Sequence, residues 1–201
     1  MVFCTQMADS LKDLFISKTR VKLLENFLAD PTQMFHVRDL VRKTGDEINA
    51  VRRELLRMDS LGMVKKEPRG NRIYYWFRKD YPFYHDLLSL VAKTTGLGAA
   101  ILKARNKIGR VSYISFSYRF ISRLPRKNSD DVDILIVGDI SLPEISVVVR
   151  EEETTRGQAI NYTPMTEDEL KFRRSRRDPF LLGILTQSRI VVFGSDLDLT
   201  G

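Results

Sequence analysis

Asp131 and Asp133 stand two residues apart at the head of the apolar run Ile134-Leu135-Ile136-Val137-Gly138. Side chains at i and i+2 of a strand share a face, so the two carboxylates are expected to project together from the start of a buried strand. A hard cation such as Mg²⁺ takes oxygen ligands from one or two carboxylates and fills its shell with waters and substrate phosphates. Residue type and spacing therefore nominate Asp131 and Asp133 as metal ligands and as the catalytic carboxylates of any reaction run there. The competing reading is that both acids merely begin a strand. Asp130 falls on the opposite face and reads as a solvated loop residue.

A second chemical signal is charge. Residues 1–105 hold 19 Lys and Arg against 12 Asp and Glu, whereas residues 106–201 hold 14 of each, so the whole formal +7 lies in the first half. A basic half joined to a neutral one points to two domains with different partners, the first meeting a polyanion. Asn49, Arg52, Arg53 and Arg57 recur at helical spacing, and Lys65, Lys66, Arg69 and Arg72 crowd the segment just after them. Arg reads guanine bidentately and Asn reads adenine, while Lys mostly neutralises phosphate. Base recognition would fall to Asn49, Arg52 and Arg53, and backbone contact to Lys65, Lys66, Arg69 and Arg72. The plainer alternative is the solvated face of an amphipathic helix.

The elements that must hold these side chains follow from periodicity. Thr19 to Leu28 carries Val21, Leu24, Phe27 and Leu28 at helical spacing and stops at Asp30-Pro31. A second helix fits Val37 to Lys43, with Gly45 as the turn. A third, capped by Asp46, sets Ile48, Val51, Leu55 and Met58 inward and ends at Ser60-Leu61-Gly62. Strands Met63 to Glu67 and Arg72 to Arg78 then flank the turn Pro68-Arg69-Gly70-Asn71, with the aromatics Tyr74 to Phe77 expected to pack into core and hairpin rather than stack on bases. Three helices followed by a basic hairpin is the order of a winged helix-turn-helix, whose third helix enters the major groove.

Tyr81-Pro82 opens a helical connector in which Leu87, Leu88, Val91, Ile101 and Leu102 keep helical spacing and Gly96 and Gly98 interrupt it. Beyond it, Val111 to Phe116 and Val132 to Val137 read as neighbouring strands and Ala159 to Tyr162 as a third, while Pro143 and the β-branched run Ile145 to Val149 leave a helix between them ambiguous. Thr166 with Glu169 is a capping box for a helix through Arg177. Asp178-Pro179 starts another that buries Phe180, Leu181, Ile184 and Leu185, and Arg189 to Phe193 is the last strand. The fold class is α+β: a winged helix-turn-helix domain over 1–80, a helical connector over 81–105 and a small α/β domain over 106–201.

Ser129-Asp130-Asp131-Val132-Asp133 with its apolar strand resembles the metal-binding strand of minimal nucleotidyltransferases of the DNA polymerase β superfamily. Tyr162-Thr163-Pro164-Met165-Thr166, Asp178-Pro179-Phe180-Leu181-Leu182 and Val191-Val192-Phe193-Gly194 follow in a similar order, and Tyr81-Pro82-Phe83-Tyr84 resembles the connector of such domains fused to a winged helix. The resemblance spans roughly Thr19 to Gly194. It implies transfer of AMP from ATP to a hydroxyl, with Mg²⁺ held by Asp131, Asp133 and a third carboxylate, and phosphate lying against a Gly-Ser turn. Here the turn reads Phe116-Ser117-Tyr118 with no glycine between Gly109 and Gly138, leaving Ser117 as the one nucleotide-binding donor. Gln158-Ala159-Ile160-Asn161-Tyr162 offers no third acid.

Composition removes other classes. Cys4 is the only cysteine, which excludes an intrachain disulfide and a multi-cysteine zinc site. With no long apolar run and no signal-like start, a cytoplasmic location without a membrane partner is expected. His36 and His85 give a Ser-His-Asp hydrolase little to stand on. The basic run Lys171, Arg173, Arg174, Arg176 and Arg177 either grips a polyanion or answers a helix dipole. The expectation is thus a homodimeric regulator on double-stranded DNA that needs no cofactor to bind. Its second domain is a degenerate nucleotidyltransferase, the alternative being a live enzyme that uses Mg²⁺ and ATP on a protein or RNA hydroxyl.

Overall fold

The computed structural model describes residues 15–196 and residue 199. Among them the chain is α+β, with nine helices, a three-stranded antiparallel sheet and a four-stranded mixed sheet. The described residues form two compact units that part between Thr94 and Thr95.

In the first unit, Ser17 caps α1 (Lys18–Ala29) by accepting the Arg20 N–H at 3.2 Å, and Val21, Leu24, Phe27 and Leu28 are buried as their spacing predicts. A short strand β1 (Phe35–His36) leads into α2 (Val37–Thr44), which Gly45 closes in the left-handed conformation at φ +69°. The third helix, α3 (Ile48–Ser60), departs from the sequence reading in two ways. Its N-cap is Glu47, whose side chain makes no capping bond, and Asp46 instead meets the Lys22 ammonium at 2.5 Å. The buried residues are Val51, Glu54, Leu55 and Met58, so Glu54 takes the inward place expected of Ile48.

Strands β2 (Val64–Arg69) and β3 (Arg72–Phe77) pair from Val64↔Phe77 to Arg69↔Arg72, leaving a two-residue turn, Gly70-Asn71, shorter than the four residues expected. Gly70 opens it at φ +56°, the position where such hairpins require glycine. Pro68 is tolerated because β2 is an edge strand in the order β1-β3-β2. Tyr75 and Phe77 point into the core. Helix α4 (Tyr84–Thr94) completes the unit by packing on α1.

Lys22 also donates to the Thr44 carbonyl at 2.8 Å, so one ammonium ties α1 to the turn that aims α3. Burial raises the Asp46 pKa, but hydrogen bonds from Lys22 and Thr19 prevail and hold it below the ordinary 3.8. A depressed folded-state pKa stabilises above the unfolded value and loses that contribution as pH falls through the folded value. Lys22→Met should therefore cost about 1 kcal/mol near neutrality, and its deficit against wild type should shrink below pH 3.8. Urea denaturation of both proteins at neutral and acid pH reads this directly.

The second unit begins with α5 (Gly96–Ile108), so the stretch expected to act as one connector is divided between the units. Its sheet runs β6-β5-β4-β7, formed by β4 (Gly109–Ser117), β5 (Ile134–Ile140), β6 (Tyr162–Met165) and β7 (Arg189–Phe193). Only β5 and β6 are parallel. The ambiguous segment is helical, α7 (Leu142–Arg156), after the short α6 (Tyr118–Ile121), and α7 packs on α5. The third strand starts at Tyr162, later than expected. Thr166 caps α8 (Glu167–Ser175) by accepting the Glu169 N–H at 3.1 Å, and Asp178 caps α9 (Pro179–Leu185) through Leu181 N–H at 3.0 Å.

Tyr113, Leu135, Val137, Met165, Leu170 and Leu181 form a core cluster beside these last helices, but Phe180 is exposed rather than buried. β4 and β5 approach so closely that a Cβ on Gly138 (φ +142°) would lie 2.2 Å from the Arg110 carbonyl oxygen. Gly138 there pairs with Val111, beside a shift of register between Val111 and Tyr113, and Asp133 stands at the other end of β5.

Candidate functional site

In the first unit, α3 and the hairpin present the basic side chains anticipated from sequence. Asn49, Arg52, Arg53 and Arg57 are all exposed on α3, and Lys65, Lys66, Arg69 and Arg72 are exposed on the hairpin. Their partners differ. Arg57 lies 3.4 Å from Glu54, Lys66 pairs with Asp59 at 2.6 Å, and Arg69 pairs with Glu67 at 3.1 Å. Those hydrogen bonds raise the pKa of Lys66 and of Arg69. Among the described residues Arg52, Arg53 and Arg72 have no carboxylate partner, nor has Arg38, which sequence reasoning passed over, whereas the charge of Lys65 helps hold the Asp80 carboxyl below its ordinary value. Exposed ion pairs are screened by solvent and contribute little, so Lys66 and Arg69 can exchange carboxylate for phosphate.

Helix α3 is held in this pose by a buried acid. Glu54, only 6% exposed, accepts from Arg20 Nε at 2.9 Å and so pins α3 to α1. The spacing of 51, 54, 55 and 58 carried that signal in the sequence, since those positions share one helical face. Between α3 and the hairpin lies an open groove of about 550 Å³, which Arg38, Arg52 and Arg72 enter together with Ile48, Leu56 and Ile73.

In the second unit, Asp131 and Asp133 come to the head of β5 but are put to different uses. The Asp131 carboxylate folds back on its own loop, accepting from Lys127 N–H at 2.7 Å, Asn128 N–H at 3.2 Å and Asn128 Nδ2 at 3.3 Å. Burial raises its pKa, yet those backbone and side-chain donors, with the charge of Arg119, leave it lowered overall. Asp133 is 4% exposed and accepts from Arg126 Nε at 3.0 Å, from Arg126 Nη2 and from Asn161 N–H at 2.9 Å. Hydrogen bonding to Asp133 outweighs burial and raises the Arg126 pKa.

This donor set does not fit a divalent ion. Asp133 is occupied by a guanidinium, and both Asp131 oxygens are engaged by the loop. No group of three His, Cys, Asp or Glu that could hold a metal occurs among the described residues. Ser117 stands beside Asp133, donating its N–H to the Asp133 carbonyl at 2.8 Å, but its hydroxyl caps α6 by accepting Phe120 N–H at 3.1 Å. The cavity lined by Ser117, Val132, Asp133 and Arg189 measures about 10 Å³, the space of about one water at most. The family models, the curated proteins and the solved structures give no match to this chain.

Sequence alone gives no sign of Arg126, because its partner Asp133 lies across a loop and nothing local marks a pairing at that separation. The C-terminal basic run divides: Arg173 bonds Glu169 at 2.9 Å, Arg174 donates to the Leu199 carbonyl at 3.0 Å, and Arg176 lies over the Phe172 ring at 4.5 Å. His36 serves as the α2 N-cap. No single described helix is long and apolar enough to cross a membrane.

Proposed function

We propose that this chain is a DNA-binding regulator-like protein whose first unit is a winged helix-turn-helix, with α3 for the major groove and the β2–β3 hairpin as wing. The second unit, in this reading, is a nucleotidyltransferase-like fold that no longer turns over nucleotide and serves as a partner- or effector-facing module. One observation carries the proposal: Arg52, Arg53 and Arg72 are exposed on α3 and the adjoining hairpin with no carboxylate partner among the described residues, while the first half of the chain holds the whole positive excess. Unpaired exposed cations gathered on consecutive elements suit a phosphate polymer better than a solvated face, on which exposed cations commonly find neighbouring acids. The element order helix, strand, helix, helix, hairpin and the sheet order β1-β3-β2 also suit this fold.

For the second unit, support comes from the Arg126–Asp133 pair and the water-sized cavity, neither of which leaves room for Mg²⁺-triphosphate. DNA binding then needs neither Mg²⁺ nor ATP. A gel-shift series with duplex DNA tests the reading: about six phosphate contacts should cost about 10³-fold in affinity between 50 and 200 mM salt. Absence of binding at the lowest salt would end it.

A further inference from the structure

We propose that α3 reads thymine methyl groups beside a guanine contacted by Arg52, with Ile48 and Leu56 as the residues that determine this specificity. The inference rests on the DNA-binding reading above and goes one step further, to the bases chosen.

It starts from an inversion in α3. Glu54 is 6% exposed, whereas Ile48 and Leu56 on the same helix are 36% and 58% exposed. Folding alone favours the opposite arrangement, since burying an aliphatic side chain stabilises and burying a carboxylate costs unless it is paired. A single exposed aliphatic needs no explanation. Here, however, Ile48, Arg52 and Leu56 follow at i, i+4 and i+8 and so form one stripe, and all three enter the same groove as Ile73, Arg38 and Arg72. Ile73 on the hairpin is 45% exposed.

A ligand for that stripe must offer apolar groups next to hydrogen-bond acceptors and negative charge. The stripe is about 12 Å long at 1.5 Å per residue, which covers three to four base-pair steps of about 3.4 Å. The major groove supplies the required pattern: guanine O6 and N7 accept from Arg, and the thymine C5-methyl accepts apolar contact. Ile48 and Leu56 then flank the Arg52 guanidinium as two methyl readers, one toward each end of the helix. Arg38 and Arg72, which line the same groove, meet phosphates.

The test uses the full chain and a duplex enriched by it from a randomised pool. Replacing thymine by deoxyuridine removes only the methyl and leaves base pairing intact. Wild type should bind the uracil duplex about fourfold more weakly per contacted methyl, the value of one buried methyl-sized group. Ile48→Ser and Leu56→Ser should each lose sensitivity to one thymine and keep the rest. Both sites are exposed, and unchanged thermal unfolding of the variants checks that the fold is intact.

Equal wild-type affinity for thymine and uracil duplexes, with binding retained, overturns the inference and leaves the DNA-binding reading standing. Undiminished uracil sensitivity in both variants overturns it too. A concentration-dependent dimer or an acidic peptide complex abolished by Leu56→Ser would assign the stripe to a protein partner instead. Failure to enrich any duplex overturns both readings.

Discussion

Arg126→Ala is expected to destabilise the second unit by about 3–5 kcal/mol, because it strands a buried carboxylate. Asp133 is 4% exposed and would keep only the Asn161 N–H as donor. Arg126 also donates to the Ala159 carbonyl, so the same substitution loosens the loop ahead of β6. Changing both partners has the opposite logic. Arg126→Met with Asp133→Leu removes the charges together, and replacing a buried pair by apolar side chains is commonly neutral or favourable. The double variant should recover most of the loss, retaining a deficit of about 1 kcal/mol for the Asn161 N–H left unsatisfied. Urea unfolding of the wild type, Arg126→Met, Asp133→Leu and the double variant yields the coupling energy. An Arg126→Ala cost within about 0.5 kcal/mol, the range of ordinary surface substitutions, would show that the pair holds nothing together.

The same cycle bears on catalysis. If Asp133 is a structural acid, then Asp133→Leu in the double variant leaves DNA binding unchanged, and labelled ATP with Mg²⁺ or Mn²⁺ transfers no AMP in any member of the set. The geometry supports that expectation through Ser117 as well. A Gly-Ser turn exposes backbone N–H groups to phosphate, whereas here the Ser117 N–H is spent on the Asp133 carbonyl and its hydroxyl on α6. The groups that would seat a triphosphate are used internally.

Local chemistry explains which parts of this arrangement were readable in the sequence. Caps depend on a side chain and a backbone N–H two or three residues away, so Ser/Thr/Asp signals such as Thr166 and Asp178 located their helices correctly. The α1 core face, and the inward places of Val51, Leu55 and Met58 on α3, followed from period alone. Reading failed where a distant partner decides. Asp46 had the type of an N-cap but was drawn away by Lys22 on another helix. Glu54 shares the helical face of Val51, Leu55 and Met58, but its burial depends on Arg20 from another helix. β6 begins at Tyr162 because it must align with β5 in the parallel register Ile134↔Tyr162, which no local pattern encodes. The functional reading of Asp131 and Asp133 was limited in the same way: spacing placed both at the head of β5, but only the folded loop shows Arg126 beside one and Lys127 N–H beside the other.

Arg52→Ala with Arg53→Ala should weaken binding to an enriched duplex by at least about 30-fold, since each Arg that contacts guanine contributes about 1–3 kcal/mol. Both side chains are exposed and neither has a carboxylate partner among the described residues, so their removal leaves no buried charge and stability should stay within about 0.5 kcal/mol of wild type. The two positions are also separable. Arg52 lies in the groove with Ile48 and Leu56, whereas Arg53 lies on the neighbouring stripe with Asn49, one helical turn before it. Base contacts change sequence preference, but phosphate contacts lower affinity uniformly and reduce the salt slope by about one per contact. Arg52→Ala is therefore expected to relax preference at one base pair with the slope little changed. Lys65→Ala on the hairpin should do the reverse, weakening all duplexes alike. Competition against a panel of single-base variants, repeated across salt concentrations, distinguishes the two patterns. A uniform loss with unchanged preference in Arg52→Ala would demote α3 from reading bases to gripping the backbone.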